Sequence, residues 1–420
     1  MANVLSNLAA DIYTAADLVG RELVGFIPSS TINGDATTRA AKGDTIRAAF
    51  TRTPTLNTSF APSMTIPEGT DQTIDNKTMS LDNYVSVQIP WTGEDIKHVN
   101  NGPGFETIYG DQIKQAMRAI TNKIEQDIAL AAKQGASRAF GTAGTTPNTL
   151  ITYLTAGAYL DSEGAPRDGR RSCIVEPFTS ATIVDSLKGL FVPQEAIGEQ
   201  YRKGLMGRDS AGMNWKMDQN IVAHTFGSFT GSATVNTTTA SGFLTSGWAS
   251  NSTITLALTG TVTLNQGDTF TIAGVYATNP QNRQPYGSNK LRNFVVNSAV
   301  TGTGGTITVN VSPAIITAGQ FQNSSIPSSS TTAAVTFFNQ SGTVSPQNII
   351  MHRNAFTLAV ADLELPEGVH FAGRASDKEI GLSMRVVRQY TINNDSIPTR
   401  LDVLYGWANL YPELACRVAA

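Results

Sequence analysis

The residues best able to do chemistry crowd the stretch ADLELPEGVH, where Asp362, Glu364, Glu367 and His370 stand close in sequence. Three carboxylates and one imidazole would make a hard, oxygen-rich site for a divalent cation. The same stretch also reads as a solvated loop after a strand, and that is the simpler reading. The other histidines, His98, His224 and His352, are far apart. Cys173 and Cys416 are the only cysteines, and their wide spacing encodes neither a disulfide framework nor a zinc site. They read as inert thiols. No Gly-x-Ser-x-Gly elbow, P-loop, His-Glu-x-x-His or dinucleotide fingerprint occurs. The expectation is a protein with no catalytic residues, no metal and no cofactor.

Arg283, Lys290 and Arg292 are more telling. Between Thr225 and Ser345 these three and Asp268 are the only charged residues, out of 30 basic and 33 acidic in a chain of 420. The three cations share one segment, NPQNRQPYGSNKLRN, between two expected strands. Either they serve solubility, or they form a contact loop that meets carboxylates of the parent domain or of a neighbouring subunit. An exposed ion pair is worth at most about 1 kcal/mol, but charge fixes register and rejects wrong partners.

The segment holding these cations is patterned as strands. In LNQGDTFTIAGVYATNP, Gly267-Asp268 supplies a turn, because glycine accepts positive φ and aspartate bonds its own backbone. Alternation follows over Thr269–Gly274, and STITLALTGTVTL, NFVVNSAV, GTITVNVS and TTAAVTFF add further short strands. Strands at this spacing make a small barrel or sandwich, inserted into another domain at a surface loop. A flexible Ser/Thr linker is the other reading, and the ordered alternation argues against it.

The flanking sequence is ordinary. Leu5, Leu8, Ile12, Leu18 and Val19 suit a short N-terminal helix, and PSSTINGDATTRAAKGD reads as an extended arm. GDTIRAAF and NYVSVQIPW flank a long polar stretch, so the two read as strands of a β-arm standing off the body. Thr92 and Asp95 form a capping box. From Phe105, apolar residues step along one helical face through Ile113, Met117, Ile120, Ile124 and Ile128, predicting a helix to Arg138 about 50 Å long. RSCIVEPFTSATIVDSLKGLF reads as a strand and a helix, and LSMRVVRQYTINNDSIPTRLDVLYGWA as a long antiparallel hairpin.

A length of 420 suggests two or three domains. Charged residues are only 15% of the chain and the net charge is −3, far from the basic footprint of a dedicated nucleic-acid binder. The N-terminus lacks the basic region of a secretory signal, and no run of 18 apolar residues occurs, so the expectation is a cytoplasmic product with no membrane span.

The order of arm, β-arm, one very long helix, mixed domain and closing hairpin resembles the major capsid protein of tailed bacteriophages. KGDTIRAAF through VQIPWTGEDIKH looks like that family's extended loop, and Phe105 to Arg138 like its spine helix. GDTFTIAGVYATNP…FVVNSAV…TITVNVSPAII resembles the telokin-like insertion domain of podovirus-type coat proteins. The resemblance implies an α+β, Hong Kong 97-type capsid fold with A- and P-domain sheets and an inserted small β-barrel. Its expected divisions are an N-terminal arm (1–40), an extended β-arm (41–95), the spine helix (96–142), the A-domain's first part (143–222), the insert (223–345) and the A/P-domain completion (346–420).

What the resemblance implies for function is a shell subunit in the virion. Pentamers and hexamers would close with icosahedral symmetry around double-stranded DNA, gripped weakly and without sequence specificity. A scaffolding protein and a portal would be partners, and assembly would take place in the host bacterial cytoplasm. Arg283, Lys290, Arg292, Lys77 and Trp91 are the candidate contacts between subunits or domains. Some relatives lock their shells by a lysine–asparagine crosslink. Lys77 has no matching partners here, and coat proteins with the insert typically lack the crosslink, so none is expected. A tail-tube subunit would share the Thr/Ser-rich strands but has no need for so long a helix. An extracellular adhesin would need a signal peptide.

Overall fold

The computed structural model describes residues 25–33, 41–50, 54, 74–99, 105–187, 210–236, 242–287, 289–326, 332–339, 342–376 and 382–420. The helix expected over Leu5–Val19 and the middle of the β-arm lie outside these residues. The long helix runs from Phe105 to Gly135, about 46 Å at ~1.5 Å per residue. Tyr109, Ile113, Met117, Ile120, Ile124 and Ile128 are all buried along it, as their spacing predicts. The helix stops short of Arg138 because Arg138–Gly141 leaves it as a strand, pairing in parallel with Ala415–Ala419. The preceding helix, Gly93–Val99, carries the expected capping box: Thr92 Oγ1 accepts from the Asp95 amide at 3.2 Å, and Asp95 Oδ2 from the Thr92 hydroxyl at 2.6 Å.

Two sheets pack against the long helix. In the first, Thr31–Asn33, Thr357–Ala361, Thr399–Ala408, Ser383–Arg388 and Phe371–Ser376 lie in that order, and Asn83–Ile89 joins along Thr399–Ala408. Leu358, Val386, Leu401 and Val403 share one core with the helix. Two expectations shift here. Asn83–Ile89 is not the return strand of the β-arm, because Val85, Val87 and Ile89 pack on the body core. The arm is instead the hairpin of Thr45–Phe50 with Asp75–Ser80. The closing hairpin pairs Ser383–Arg388 with Thr399–Ala408, but Ile392 lies in an exposed 3₁₀ turn rather than in a strand.

The second sheet runs Arg138–Gly141, Ala415–Ala419, Val344–His352, Arg171–Val175 and Asn214–Met217. Its far face is covered by helices Leu150–Ser162 and Pro177–Leu187, through Tyr153, Leu160 and Ile183. Cys173 and Cys416 flank Ile350 on either side. Two strand spacings, about 10 Å, separate them, which is beyond disulfide reach. Burial alone pushes the Cys173 thiol well up, and burial first also raises Cys416 to about 12.

Between the second sheet's strands Arg171–Val175 and Val344–His352 the charge-poor segment builds its own sheet and core. Ala233–Val235, Ala334–Phe337, Thr269–Ala277, Leu291–Val296, Val300–Ser312 and Ser252–Leu264 pair in sequence, and Ser252–Leu264 pairs back to Ala233–Val235. The ring closes as a six-stranded antiparallel barrel. Closure removes the free edges that such Thr-rich strands would otherwise expose. Leu256, Val262, Phe270, Ile272, Phe294 and Val309 fill it, with phenylalanine rings in tilted and edge-on pairs.

Candidate functional site

The barrel meets the body through a small number of buried polar contacts, and the charges singled out in the sequence converge there. Glu163 follows the last turn of helix Leu150–Ser162 and is buried. Its Oε1 accepts from Arg292 Nη1 at 2.7 Å, from the Tyr286 hydroxyl at 2.6 Å and from Arg138 Nη2. Arg292 and Tyr286 belong to the barrel; Arg138 and Glu163 belong to the body. The side chains of Arg138, Glu163 and Arg292 are 3–4% exposed. Two guanidiniums therefore share one carboxylate out of water, where losing a partner is costly. Burial pulls Arg138 down, but Glu163 outweighs it and the guanidinium ends above its ordinary value. Burial, then Glu163, raises the Tyr286 phenol.

The second contact is the Gly267-Asp268 turn. Asp268 is wholly buried, and its carboxylate accepts from His224 Nε2 at 2.8 Å, from the Asn265 amide at 2.8 Å and from the Gly227 amide at 3.1 Å. Three donors to one anion satisfy a charge that could not otherwise stay there. Burial drives His224 below its ordinary value against the pull of Asp268, so the neutral ring donates the bond. Arg417, on the last strand and fully buried, donates through Nη2 to the Gly267 carbonyl and through Nη1 to the Lys133 carbonyl at 3.0 Å. Gly267 needs its residue type: φ is +97°, and an added Cβ would sit 3.3 Å from His224 Cε1.

Lys77 makes the third contact. From the β-arm its Nζ donates to the Leu410 carbonyl and lies 4.1 Å from the Tyr411 ring centre and 5.8 Å from that of Trp248, a barrel-side residue. A cavity of about 480 Å³ opens beside it, lined among others by Asn76, Gln134, Gln266, Asn297 and Arg292.

The sequence-predicted contacts thus separate. Arg292 and Lys77 lie at the junction. Lys290 is exposed, and Arg283 is half-buried in a turn at φ +57°. Trp91 lies in the body core and donates through Nε1 to Gln112 at 2.8 Å. In ADLELPEGVH, Asp362 turns to Arg374 at 3.2 Å, whereas Glu364, Glu367 and His370 are exposed. Among the described residues no three His, Cys, Asp or Glu side chains gather as a metal site. No helix among them is long and apolar enough to cross a membrane.

Glu163, Arg138, His224 and Arg417 were not singled out beforehand. Asp268 carried a readable signal, as the lone acid of an otherwise acid-free segment. The others lie in ordinary charged sequence, and only folding brings them to the same place.

The family model described as P22 coat protein, gene protein 5, matches residues 63–417. No curated protein matches the chain. Among solved structures, the capsid of Ralstonia phage GP4 is similar at 7% identity and TM-score 0.47, over 94% of this chain and 88% of that one. The capsid of cyanophage P-SCSP1u is similar at 10% identity and TM-score 0.46, over 93% and 86%. The mature capsid of bacteriophage PhiM1 is similar at 10% identity and TM-score 0.46, over 94% and 86%.

Proposed function

We propose, for a chain that belongs to the P22 coat protein family, a division of labour in which the body builds a phage shell and the barrel orients the body. The chain is a major capsid protein, and the match over residues 63–417 is the observation that carries this reading. The finer reading is a Hong Kong 97-type subunit that forms pentamers and hexamers, closed by icosahedral symmetry around double-stranded DNA. Self-complementary surfaces and many modest contacts give such a shell its avidity. A net charge of −3 suits a container that lines DNA without gripping it. Scaffolding protein and portal are the further partners, the host cytoplasm is the place of assembly, and the role is non-catalytic.

The division into arm (1–40), β-arm (41–95), spine helix (96–142), A-domain (143–222), insert (223–345) and completing strands (346–420) is part of the same proposal, with Asn83–Ile89 reassigned from the β-arm to the body sheet. Within it the insert serves its parent, through Arg292 on Glu163, and the loop that carries Arg283 and the exposed Lys290 is the contact offered to a neighbouring subunit. Negative-stain electron microscopy of the expressed protein with its scaffold tests the reading: closed polyhedral shells are expected, and open tubes of stacked rings would replace it with a tail-tube role. Reversing Lys290 and Arg283 to Glu, with Arg292 left in place, is expected to leave a folded monomer that assembles poorly. Normal shells from that variant would end the contact-loop role.

A further inference from the structure

The N-terminal segment enters the body over two buried acids. Glu125, on the long helix, is 1% exposed, and Asp218, just past strand Asn214–Met217, is 0% exposed. Glu125 Oε1 accepts from the amides of Gly25 at 2.7 Å and Phe26 at 2.5 Å, and Oε2 accepts from Ile27 at 3.0 Å. The Gly25 amide also reaches Asp218 Oδ2 at 3.1 Å. One N–H is thus shared between two carboxyl groups, which brings their oxygens together. Two buried carboxylates drawn to one N–H repel and offer only acceptors, so a proton on one of them relieves the repulsion.

We propose that Glu125 and Asp218 hold one proton between them and form a latch on residues 25–30, closed while the proton is held and opened by its loss. Closed, the pair carries a single negative charge, spread over the amides that open the 3₁₀ turn Ile27–Ser29. Opened, two buried carboxylates repel with no water to screen them. Burial first, then the Asp218 bond and charge, hold the Glu125 carboxyl well above the ordinary value of 4.5.

The surroundings bear on the charge balance. On the same helix, Asp127 is engaged by Lys123 and Tyr405. From strand Asn214–Met217, Lys216 reaches Ser29 Oγ at 2.7 Å, and Arg353 donates to the Ser30 carbonyl at 3.1 Å. These last two grip the far end of the segment, the core holds the Phe26 and Ile27 side chains, and the acid pair takes the amides at its entry. Gly25 itself permits the fit, because an added Cβ would lie 2.6 Å from Asp218 Oδ2. Beyond the latch, Thr31–Asn33 adds in parallel to Thr357–Ala359, so release would peel an edge strand. The latch belongs to the single chain and does not depend on the shell.

The sign follows from which state binds the proton. The closed state holds it at pH values where a separated glutamate has lost it, so closure is complete below 4.5 and weakens as pH rises through the raised value. Hydrogen exchange on the soluble full-length chain tests this, with the Ile120 and Ile124 amides reporting global opening. After correction for intrinsic rates, protection of Phe26 and Ile27 is expected to fall up to about tenfold per pH unit while Ile120 and Ile124 do not follow. In Glu125→Gln, which stays neutral, that dependence is expected to vanish. Asp218→Asn is the second variant: it removes the neighbouring carboxyl while burial still raises Glu125, so the fall in protection is expected to move to lower pH. Protection of Phe26 and Ile27 that is flat with pH in the unaltered chain would overturn the latch. So would an undiminished slope in folded Glu125→Gln, or a fall in protection that Asp218→Asn does not move to lower pH.

Discussion

Arg417 and Gly267, 150 positions apart, are hydrogen-bonded across the junction of body and barrel: Arg417 Nη2 donates to the Gly267 carbonyl. The same guanidinium takes the Lys133 carbonyl near the end of the long helix, a group that helix geometry leaves without an intrahelical partner. One side chain therefore ties the spine, the last strand and the inserted turn. Arg417→Met keeps the stem and strands both carbonyls. At ~1–3 kcal/mol for each unsatisfied buried group, a loss of about 3 kcal/mol in denaturant unfolding is expected. A loss below about 1 kcal/mol would remove this tie from the fold's energetics.

Glu163 is shared by two arginines, so its removal and theirs are not equivalent. Glu163→Ala leaves Arg138 and Arg292 buried without a counter-charge and is expected to cost about 3–5 kcal/mol. Arg292→Met leaves Glu163 with Arg138 and Tyr286 and should cost less. Urea unfolding of the two variants checks the order, and Arg292→Met proving the worse would refute the shared-carboxylate account.

His224 should make the junction acid-sensitive. Its folded-state value lies below the ordinary 6.5, so the unfolded chain binds the extra proton first. The contribution is therefore complete above 6.5 and is lost as pH falls from there toward the lowered value, with a limiting slope of about 1.4 kcal/mol per pH unit. Stability measured against pH should lose that slope in His224→Gln. The Glu125 pair acts in the opposite direction above 4.5, so the comparison must be between variant and parent rather than read from one curve.

Gly267→Ala isolates the turn from the charges around it. A φ of +97° strains any residue with a Cβ, and the added methyl would press on the His224 ring. A loss of about 1–3 kcal/mol is expected, measured by thermal unfolding. No loss would mean that the turn relaxes freely and does not hold His224 and Asp268 in register.

Lys77 is expected to hold the β-arm to the junction. Lys77→Met keeps the aliphatic stem but gives up the Leu410 bond and the Tyr411 and Trp248 faces. Exchange of the Asn76 and Thr78 amides should rise severalfold while the body core stays protected, because a local opening of about 1 kcal/mol is involved. Unchanged exchange would place the arm's anchor elsewhere.

Period and turn chemistry are local, and so they were legible in the sequence. The stripe from Ile113 to Ile128 made a helix because successive turns superimpose those side chains, and only its last few residues were misjudged, where a strand pairing competes with continued helix. Alternation around Phe270 and Ile272 made strands, and the lack of charge marked them as a unit with its own core. Strand partnership was not legible, since alternation says which face is buried but not against what. Asn83–Ile89 accordingly went to the body sheet rather than to the arm. The ion clusters were hidden for the same reason. Glu163 and Arg292 lie 129 positions apart, and Glu125 lies 98 to 100 from the amides it binds. Such pairings follow from how sheets, helix and barrel dock, and docking is decided by the packing of whole surfaces.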